Sequence, residues 1–322
     1  MIYVCKMLGI SYPIIQGGMG NISNAQLTSA VSEAGGLGTI GCGTMTPYEV
    51  EQIILETKEL TEKRFAINIA INVSPFVEEL IELVIKHEVP IVSLSAGNPA
   101  PYIPILHKHG KLVLTVVASV KQGLKAEQAG ADILVAEGFE AAGINSSLEL
   151  TTFTLIPQLV KHVRIPVIAA GGIGDGKGLA AALSLGASGV QLGTRLVATK
   201  DAPFHEMYKK RVIQASDLDT LLLGRSVGRI RRVLNTPYAS RLIDREKQGL
   251  TIDDYLKSTT EEHHKKGAIE GDLENGFLNS GQIAGLLDDL PSVEDLFNRM
   301  MIEAEQKLQN DLIEIRQLKN ES

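Results

Sequence analysis

The sequence predicts a (β/α)8 TIM barrel, an α/β fold of eight parallel strands ringed by helices, with an additional helical element after the last strand. Three observations predict it: short apolar runs alternate with helical patterns, the runs end in small or polar residues, and the last two end in glycine corners. The apolar runs are 13–17 (PIIQG), 37–41 (LGTIG), 65–69 (FAINI), 91–95 (IVSLS), 113–117 (VLTVV), 133–136 (ILVA), 167–170 (VIAA) and 189–192 (GVQL), which makes eight. Helical patterns lie between them over 24–34, 47–60, 75–86, 101–109, 120–129 and 150–163. A doubly wound sheet alternates in the same way and is the runner-up.

The most informative stretch is 165–194, IPVIAAGGIGDGKGLAAALSLGASGVQLGT. Its first run is unbrokenly apolar, as suits a parallel strand buried on both faces. Gly171 and Gly172 end that strand, an Ala- and Leu-rich helical segment follows over 179–185, Gly186 caps it, and the next run leads into Gly193 and Thr194. Glycine corners let backbone N–H groups approach an anion closely, and a helix N-terminus nearby adds partial positive charge. In barrels of this kind the loops after the last two strands form the usual phosphate site. Glycines at such corners also serve for tight turns alone. Another glycine-rich stretch, Gly36-Leu37-Gly38-Thr39-Ile40-Gly41, matches the dinucleotide pattern GxGxxG. It has a helical pattern before it and the strand inside it, the reverse of what that fingerprint requires.

Composition bounds the rest. A minimal barrel takes about 250 residues and this chain has 322, so a further element is expected. Net charge is −7 with no long basic run, which argues against nucleic acid as the main partner. No apolar stretch approaches the roughly 18 residues of a membrane span and the N-terminus lacks a signal pattern, so no membrane association and a cytoplasmic location are expected. Cys5 and Cys42 have neither metal-ligand spacing nor the density of a disulfide scaffold. Tryptophan is absent and aromatics are 4%, so a planar cofactor should be held by backbone, Met and amide groups.

The alternation stops after the eighth strand. The expected division is a barrel over 1–204, a helical lid or subdomain over 205–279, and a segment over 280–322 that returns to the barrel and ends in an amphipathic surface helix. That helix is a candidate homodimer contact. Within the lid, RIRR from Arg229 reads as a solvated helix face or as a basic surface for a phosphate-bearing ligand, and EEHHKK from Glu261 adds a further charged run. NSGQIAGLL from Asn279 places Gly281 and Gln282 within reach of the barrel mouth.

Barrel chemistry sits at the C-terminal strand ends. There the sequence offers Gln16-Gly17-Gly18-Met19, Asn68, Ser95, Gly97 and Asn98, Glu137-Gly138, Gln191 and Thr194, a set rich in amides and poor in acids and bases. Such groups suit a heteroaromatic ring with several donors and acceptors, such as an isoalloxazine, together with a terminal phosphate. They do not suit a metal, for which no His, Cys or Asp cluster is available.

The segments YPIIQGGMG, AGGLGTIG, AINIAINVSPF, SAGNP, AEGFEAAG, IPVIAAGGIGDG, GVQLGTR and GQIAGL span most of the chain. Together they resemble the nitronate monooxygenase family, formerly called 2-nitropropane dioxygenases, and within it the flavin-dependent enoyl-ACP reductases. The resemblance implies non-covalent FMN. Gln16, Gly17, Gly18 and Met19 would lie along the ring, Asn68 on its polar edge and Glu137 nearby. Gly171, Gly172, Gln191, Gly193 and Thr194 would hold ribityl and phosphate, and Gln282 would close the site.

One departure follows the sixth strand. The family pattern E-x-x-E-A-G-G-H ends in a histidine that serves as catalytic base or contributes to turnover, whereas this chain reads Glu137-Gly138-Phe139-Glu140-Ala141-Ala142-Gly143 and then Ile144 and Asn145. None of the seven histidines (His87, His107, His109, His162, His205, His263 and His264) falls in this loop. Histidine is the usual proton carrier near neutral pH, and neither Ile144 nor Asn145 replaces it. The remaining catalytic candidates are Glu137, Asn145 as an amide that orients substrate or merely caps the loop, and Ser146, with Glu140, water or His205 as other proton sources.

The resemblance implies an FMN-dependent oxidoreductase that oxidises alkyl nitronates with O2. The first alternative is an NAD(P)H-dependent enoyl-thioester reductase, so the substrate is a small molecule or an acyl thioester. A flavin-binding protein with little turnover and a non-flavin phosphate-binding barrel complete the set.

Overall fold

The computed structural model describes residues 1–321. Eight parallel strands form one sheet: β1 (Ile14–Gln16), β2 (Gly38–Gly41), β3 (Phe65–Ala70), β4 (Ile91–Ser95), β5 (Leu112–Val117), β6 (Ile133–Glu137) and, after a short β7 (Gly143–Ile144), β8 (Val167–Ala170) and β9 (Gly189–Leu192). The sheet closes where Ile15 bridges Leu37, with Gln16 N–H donating to Leu37 O at 2.9 Å and Leu37 N–H to Ile14 O at 3.0 Å. The barrel expectation holds, and the doubly wound alternative falls with that closure.

Helices α1 (Ile2–Leu8), α2 (Ala25–Glu33), α3 (Pro47–Leu60), α4 (Val77–Lys86), α5 (Ile103–Lys108), α6 (Val120–Gln128), α7 (Thr152–His162) and α8 (Gly176–Ser184) come before the last barrel strand. Local chemistry starts several of them. Thr46 and Glu49 form a reciprocal capping box around Pro47 at the head of α3, and Asn24, Ser119 and Asp175 cap α2, α6 and α8.

No element was expected before residue 13, but α1 covers the N-terminal end of the barrel. Its Val4 and Leu8 are buried with Ile15, Leu37, Ala66, Ile91, Leu114, Ile133, Val135, Ile168 and Ala170. These strand residues are the first inward positions of a period of two. Two residues further along the same faces stand Gly17, Thr39, Asn68, Ser93, Val116 and Glu137, so the interior turns from apolar to polar on most of these strands.

Beyond the barrel strands lie α9 (Thr194–Val197), α10 (Glu206–Ile213), β10 (Thr220–Leu223), β11 (Arg231–Leu234), α11 (Pro237–Lys247), α12 (Ile252–Ser258), α13 (Glu261–Ala268) and α14 (Val293–Glu321). The segment 205–279 is largely helical, but it also contains the β10–β11 hairpin. β11 extends into an antiparallel sheet with β7, where Arg231 opposes Ile144 and Arg232 opposes Gly143. The RIRR run therefore lies at a strand, not on a solvated helix face. Arg231 and Arg232 are buried because each guanidinium has its own partners: Asn279 and Glu261 for Arg231, and the Phe139 carbonyl for Arg232.

The first half of α14 packs on α8 and α2, burying Leu296, Phe297, Met300 and Ala304. Its Glu303 accepts a hydrogen bond from Gly176 N–H at 3.0 Å. Ser322, the end of the expected surface helix, lies outside the described residues. Among the described residues, no helix is long and apolar enough to cross a membrane.

Candidate functional site

The C-terminal ends of the barrel strands open into a cavity of about 1400 Å3, roofed by the segment after β9. Gly17, Gly18, Met19, Asn68, Ser95, Glu137, Gly171, Gly172, Gln191, Gly193 and Thr194 all line it, as do Ile144, Asn145 and Ser146. Gln16 and Gln282 are not brought to its wall. Gln16 follows the parity of Ile14, which packs in the large core cluster, and its Oε1 accepts from Thr39 N–H at 3.2 Å. Gln282 is exposed, and Gly281 and Ile283 on either side of it reach the cavity instead.

The loop after β1 lies flat across the barrel mouth, and glycine permits it. A Cβ on Gly18 would stand 2.7 Å from the side chain of Asn68, and one on Gly41 would stand 2.6 Å from Met19 N. Asn68 is itself fixed, donating to the hydroxyls of Ser93 and Ser95 at 3.1 Å. On the opposite side Gly171 and Gly172 adopt φ 101° and 73°, which only glycine takes freely. A Cβ on Gly193 would meet nothing within 4 Å. The backbone N–H groups of Gly172, Gly193 and Thr194 donate to no protein group among the described residues. Thr194 Oγ1 accepts from Gly281 N–H at 2.8 Å, so its hydroxyl ties the roof to the barrel.

This arrangement fits a flavin phosphate. A glycine cradle faces open space, free N–H donors stand at the ends of β8 and β9, and an amide-rich floor lies opposite. Ala96, also in the wall, holds φ 51°, an uncommon conformation for a residue with a Cβ.

The loop after β6 carries the expected catalytic residues. Glu137 is half-buried with no hydrogen-bond partner among the described residues, and burial pushes its carboxyl up to about 7. Glu140 is a structural group: both its oxygens accept from Thr152 N–H at 2.9 and 3.0 Å, capping α7. Asn145 uses its amide N–H groups on Ala141 O and Gly143 O at 2.9 and 3.2 Å, which holds the loop and leaves only Oδ1 for a ligand. Ser146 Oγ accepts from Leu148 N–H at 3.2 Å. Ile144 presents an exposed apolar side chain to the cavity.

The sequence reading missed a buried polar cluster on the roof side of the same cavity. Arg231 donates to Glu261 at 3.1 Å and to Asn279 Oδ1 at 3.2 Å, and Asn279 Nδ2 lies 3.2 Å from His264 Nδ1. Tyr208 OH donates to the Asn279 carbonyl. Burial opposes the charge on Glu261, but its hydrogen bond with His264 and the charge of Arg231 outweigh it and hold the carboxyl down at about 2. His205 stays outside the cavity wall, its Nδ1 accepting from Met207 N–H at the head of α10.

Comparison with known proteins agrees with this geometry. The family model for nitronate monooxygenase matches residues 3–79 and 70–303. A (3aS,4S,5R,7aS)-5-hydroxy-7a-methyl-1-oxo-octahydro-1H-indene-4-carboxyl-CoA dehydrogenase from Mycobacterium tuberculosis is 32% identical, with 94% of this chain and 96% of that protein covered. A probable nitronate monooxygenase from Staphylococcus saprophyticus is 31% identical over 89% of this chain and 93% of its own. Among solved structures, FabK from Thermotoga maritima superposes with a TM-score of 0.91 at 40% identity, covering 96% of this chain and 97% of that one. A nitroalkane oxidase from Streptomyces ansochromogenes superposes with a TM-score of 0.83 at 26% identity, covering 95% and 99%. The chain therefore belongs to the nitronate monooxygenase family and is an oxidoreductase of the flavin-dependent type.

Proposed function

We propose that this enzyme binds FMN and uses NAD(P)H to reduce the carbon–carbon double bond of an α,β-unsaturated acyl thioester. The observation that carries this reading is the size of the cavity. At about 1400 Å3 it exceeds the roughly 300–1,000 Å3 of a pocket for one small ligand. It has room for a flavin and for a second, extended ligand beside it. Lys125 and Arg229 stand exposed on its wall without an ion pair among the described residues, as suits an anionic carrier arm.

When bound, the flavin supplies reversible two-electron transfer between the nicotinamide and the substrate. The residues of this chain position it and its partner. Gly17, Gly18 and Asn68 offer a flat backbone surface and a fixed amide to the ring. The free N–H groups of Gly172, Gly193 and Thr194 bind the phosphate. Glu137, half protonated near neutral pH, keeps a hydrogen-bond donor in the wall. Asn145 Oδ1 and the apolar face of Ile144 bound the substrate side.

A second reading, oxidation of nitronates with O2, draws on one observation: the loop after β6 offers Ile144 where a base is expected, and a nitronate is already an anion that needs no deprotonation. Anaerobic visible spectroscopy of the purified protein separates the two. Flavin bands that bleach with NADH or NADPH and return on adding crotonyl-CoA are the expected result. Bleaching by a nitronate alone moves the assignment to the second reading, and protein that stays colourless after FMN is added back sinks both.

A further inference from the structure

The loop after β6 has no histidine at position 144, yet the strand that feeds this loop ends in an acid. Glu137 closes β6 and meets the requirements of a proton source in turn. Its carboxyl has no hydrogen-bond partner among the described residues, so its proton is committed to no other group. Neither of its oxygens is among the enclosed unpartnered atoms, so water or a ligand reaches it from the cavity. It shares a niche of the wall with Phe139, Asn145, Ser146 and Leu150, which sets it beside the residues that follow Ile144. Burial raises the carboxyl to about 7, so acid and carboxylate are both present near neutral pH.

The order of the strands puts this acid on the side of the mouth that a second ligand would use. Strand β6 stands between β5 and β8, across the barrel from β2, whose Gly41 supports the loop after β1. The flat glycine loop and Asn68 lie at the ends of β1 and β3, and the glycine cradle lies at β8 and β9. What remains beside β6 is the sector of β5 and α6, where exposed Lys125 lines the wall.

Other acids and bases of the cavity are committed elsewhere. Both oxygens of Glu140 accept from Thr152 N–H, and Glu261 is paired with Arg231. The His264 ring accepts the Asn279 amide N–H on Nδ1, because Asn279 Oδ1 is held by Arg231, and its Nε2 is enclosed. Around Glu137 itself, β5 and the residue after it offer Val117 and Ala118, β8 offers Ala170, and α7 starts at Thr152. The charged groups on those sides are Glu140 in the loop and Lys125 on α6, and neither contributes to the shift of the carboxyl.

We propose that Glu137 is the proton donor of this site, supplying from the strand end what a histidine supplies from the loop in the family pattern. The inference rests on the thioester-reduction reading. In that reaction a reduced nicotinamide gives up two electrons and one hydrogen as hydride, which ends on the carbon β to the thioester carbonyl. The electron pair displaced onto the α carbon forms a bond to the carboxylic-acid hydrogen of Glu137, and the O–H pair stays on the carboxylate. Solvent reprotonates that carboxylate between turnovers.

The test compares FMN-loaded wild type and Glu137→Gln in anaerobic stopped flow, with NAD(P)H bleaching and crotonyl-CoA reoxidation followed separately from pH 6 to 9. The amide keeps the size of the acid but gives up no proton. Reoxidation in Glu137→Gln is expected to slow by at least about 100-fold more than bleaching. Wild-type reoxidation should fall toward high pH as the carboxyl ionises, and the variant should lose that fall. A second readout needs no cofactor: the infrared C=O band of a carboxylic acid that Glu137→Gln lacks should fade as pH rises through about 7 and shift on adding butyryl-CoA. Reoxidation in Glu137→Gln that keeps pace with bleaching, a wild-type pH profile in that variant, or a band indifferent to butyryl-CoA would each overturn the inference. If Glu137→Gln does not fold, Glu137→Asp decides: slower reoxidation that still falls toward high pH supports the inference, and any other profile overturns it. A wild-type flavin that no nicotinamide bleaches brings down the thioester reading itself, and the inference with it, before any variant is compared.

Discussion

The two ends of the barrel are made by the same eight strands and differ in almost everything else. At the N-terminal end the inward residues are Ile15, Leu37, Ala66, Ile91, Leu114, Ile133 and Ile168, sealed by Val4 and Leu8 of α1. At the C-terminal end the same faces present Gly17, Asn68, Glu137 and Gln191 to an open cavity. Close packing at one end allows the other to hold free N–H groups, a left-handed Ala96 and an unpartnered carboxylate, features that cost stability where they stand. The difference shows in what a glycine can stand beside. Gly38, near the sealed end, lets β2 meet the backbone of α2, and Gly41 and Gly18 allow equally close packing at the open end, but Gly193 at the open end borders space that nothing in the protein fills.

Substitution at the sealed end should have the largest effect. A Cβ on Gly38 would lie 2.0 Å from the Thr28 carbonyl oxygen and 2.7 Å from Ser32 Oγ, so α2 would have to move off β2. Gly38→Ala is expected to destabilise by more than about 3 kcal/mol, read from urea unfolding. Leu8→Ala comes next. It removes the centre of the seal and should cost about 2–5 kcal/mol while leaving FMN affinity within a factor of two, measured by fluorescence titration. A matching loss of FMN affinity would show that the two ends are not independent.

Much of this contrast was legible in the sequence, because parallel strands buried on both faces leave unbroken apolar runs and their glycine corners stand out. All eight barrel strands fall where those runs are. What was not legible depends on partners distant in the chain. Arg231 and Arg232 look solvated because the groups that accept their hydrogen bonds, Glu261, Asn279 and the Phe139 carbonyl, are not adjacent in sequence. His264 sits in the charged run EEHHKK, and only its spacing to buried Gly267 and Ala268, three and four residues on, hints at an inward face. Gln16, expected along the ring, faces away from the cavity for a reason the strand period contains: Ile15 and Gly17 share the inward face, so Gln16 falls out of phase with them.

The unpartnered carboxylate offers a test by pH. An unfolded glutamate titrates near 4.5, and Glu137 in the fold near 7, so between those values the folded protein binds more protons than the unfolded one. Its contribution is thus fully present below pH 4.5 and is lost as pH rises through 7. Ligand-free wild type should lose on the order of 3 kcal/mol relative to Glu137→Gln between pH 4.5 and 8, measured as the difference of their unfolding free energies. Parallel curves would mean that the carboxyl has found a partner.

The smallest effect is the sharpest test of what the open end is for. Gly193 has φ −119° and a Cβ there would meet nothing within 4 Å, so Gly193→Ala asks nothing of the fold. Its thermal midpoint should stay within about 2 °C of wild type. The added methyl would instead occupy space beside the free N–H groups of Gly193 and Thr194, where the phosphate is held in the proposed complex. FMN should then bind about tenfold more weakly, roughly 1.4 kcal/mol, while riboflavin, which has no phosphate, should bind as it does to wild type. Equal losses for both ligands would place the ring rather than the phosphate at this corner. No loss for either would mean that the open space beside Gly193 is simply solvent, and that the two glycine corners turn the chain without clasping an anion.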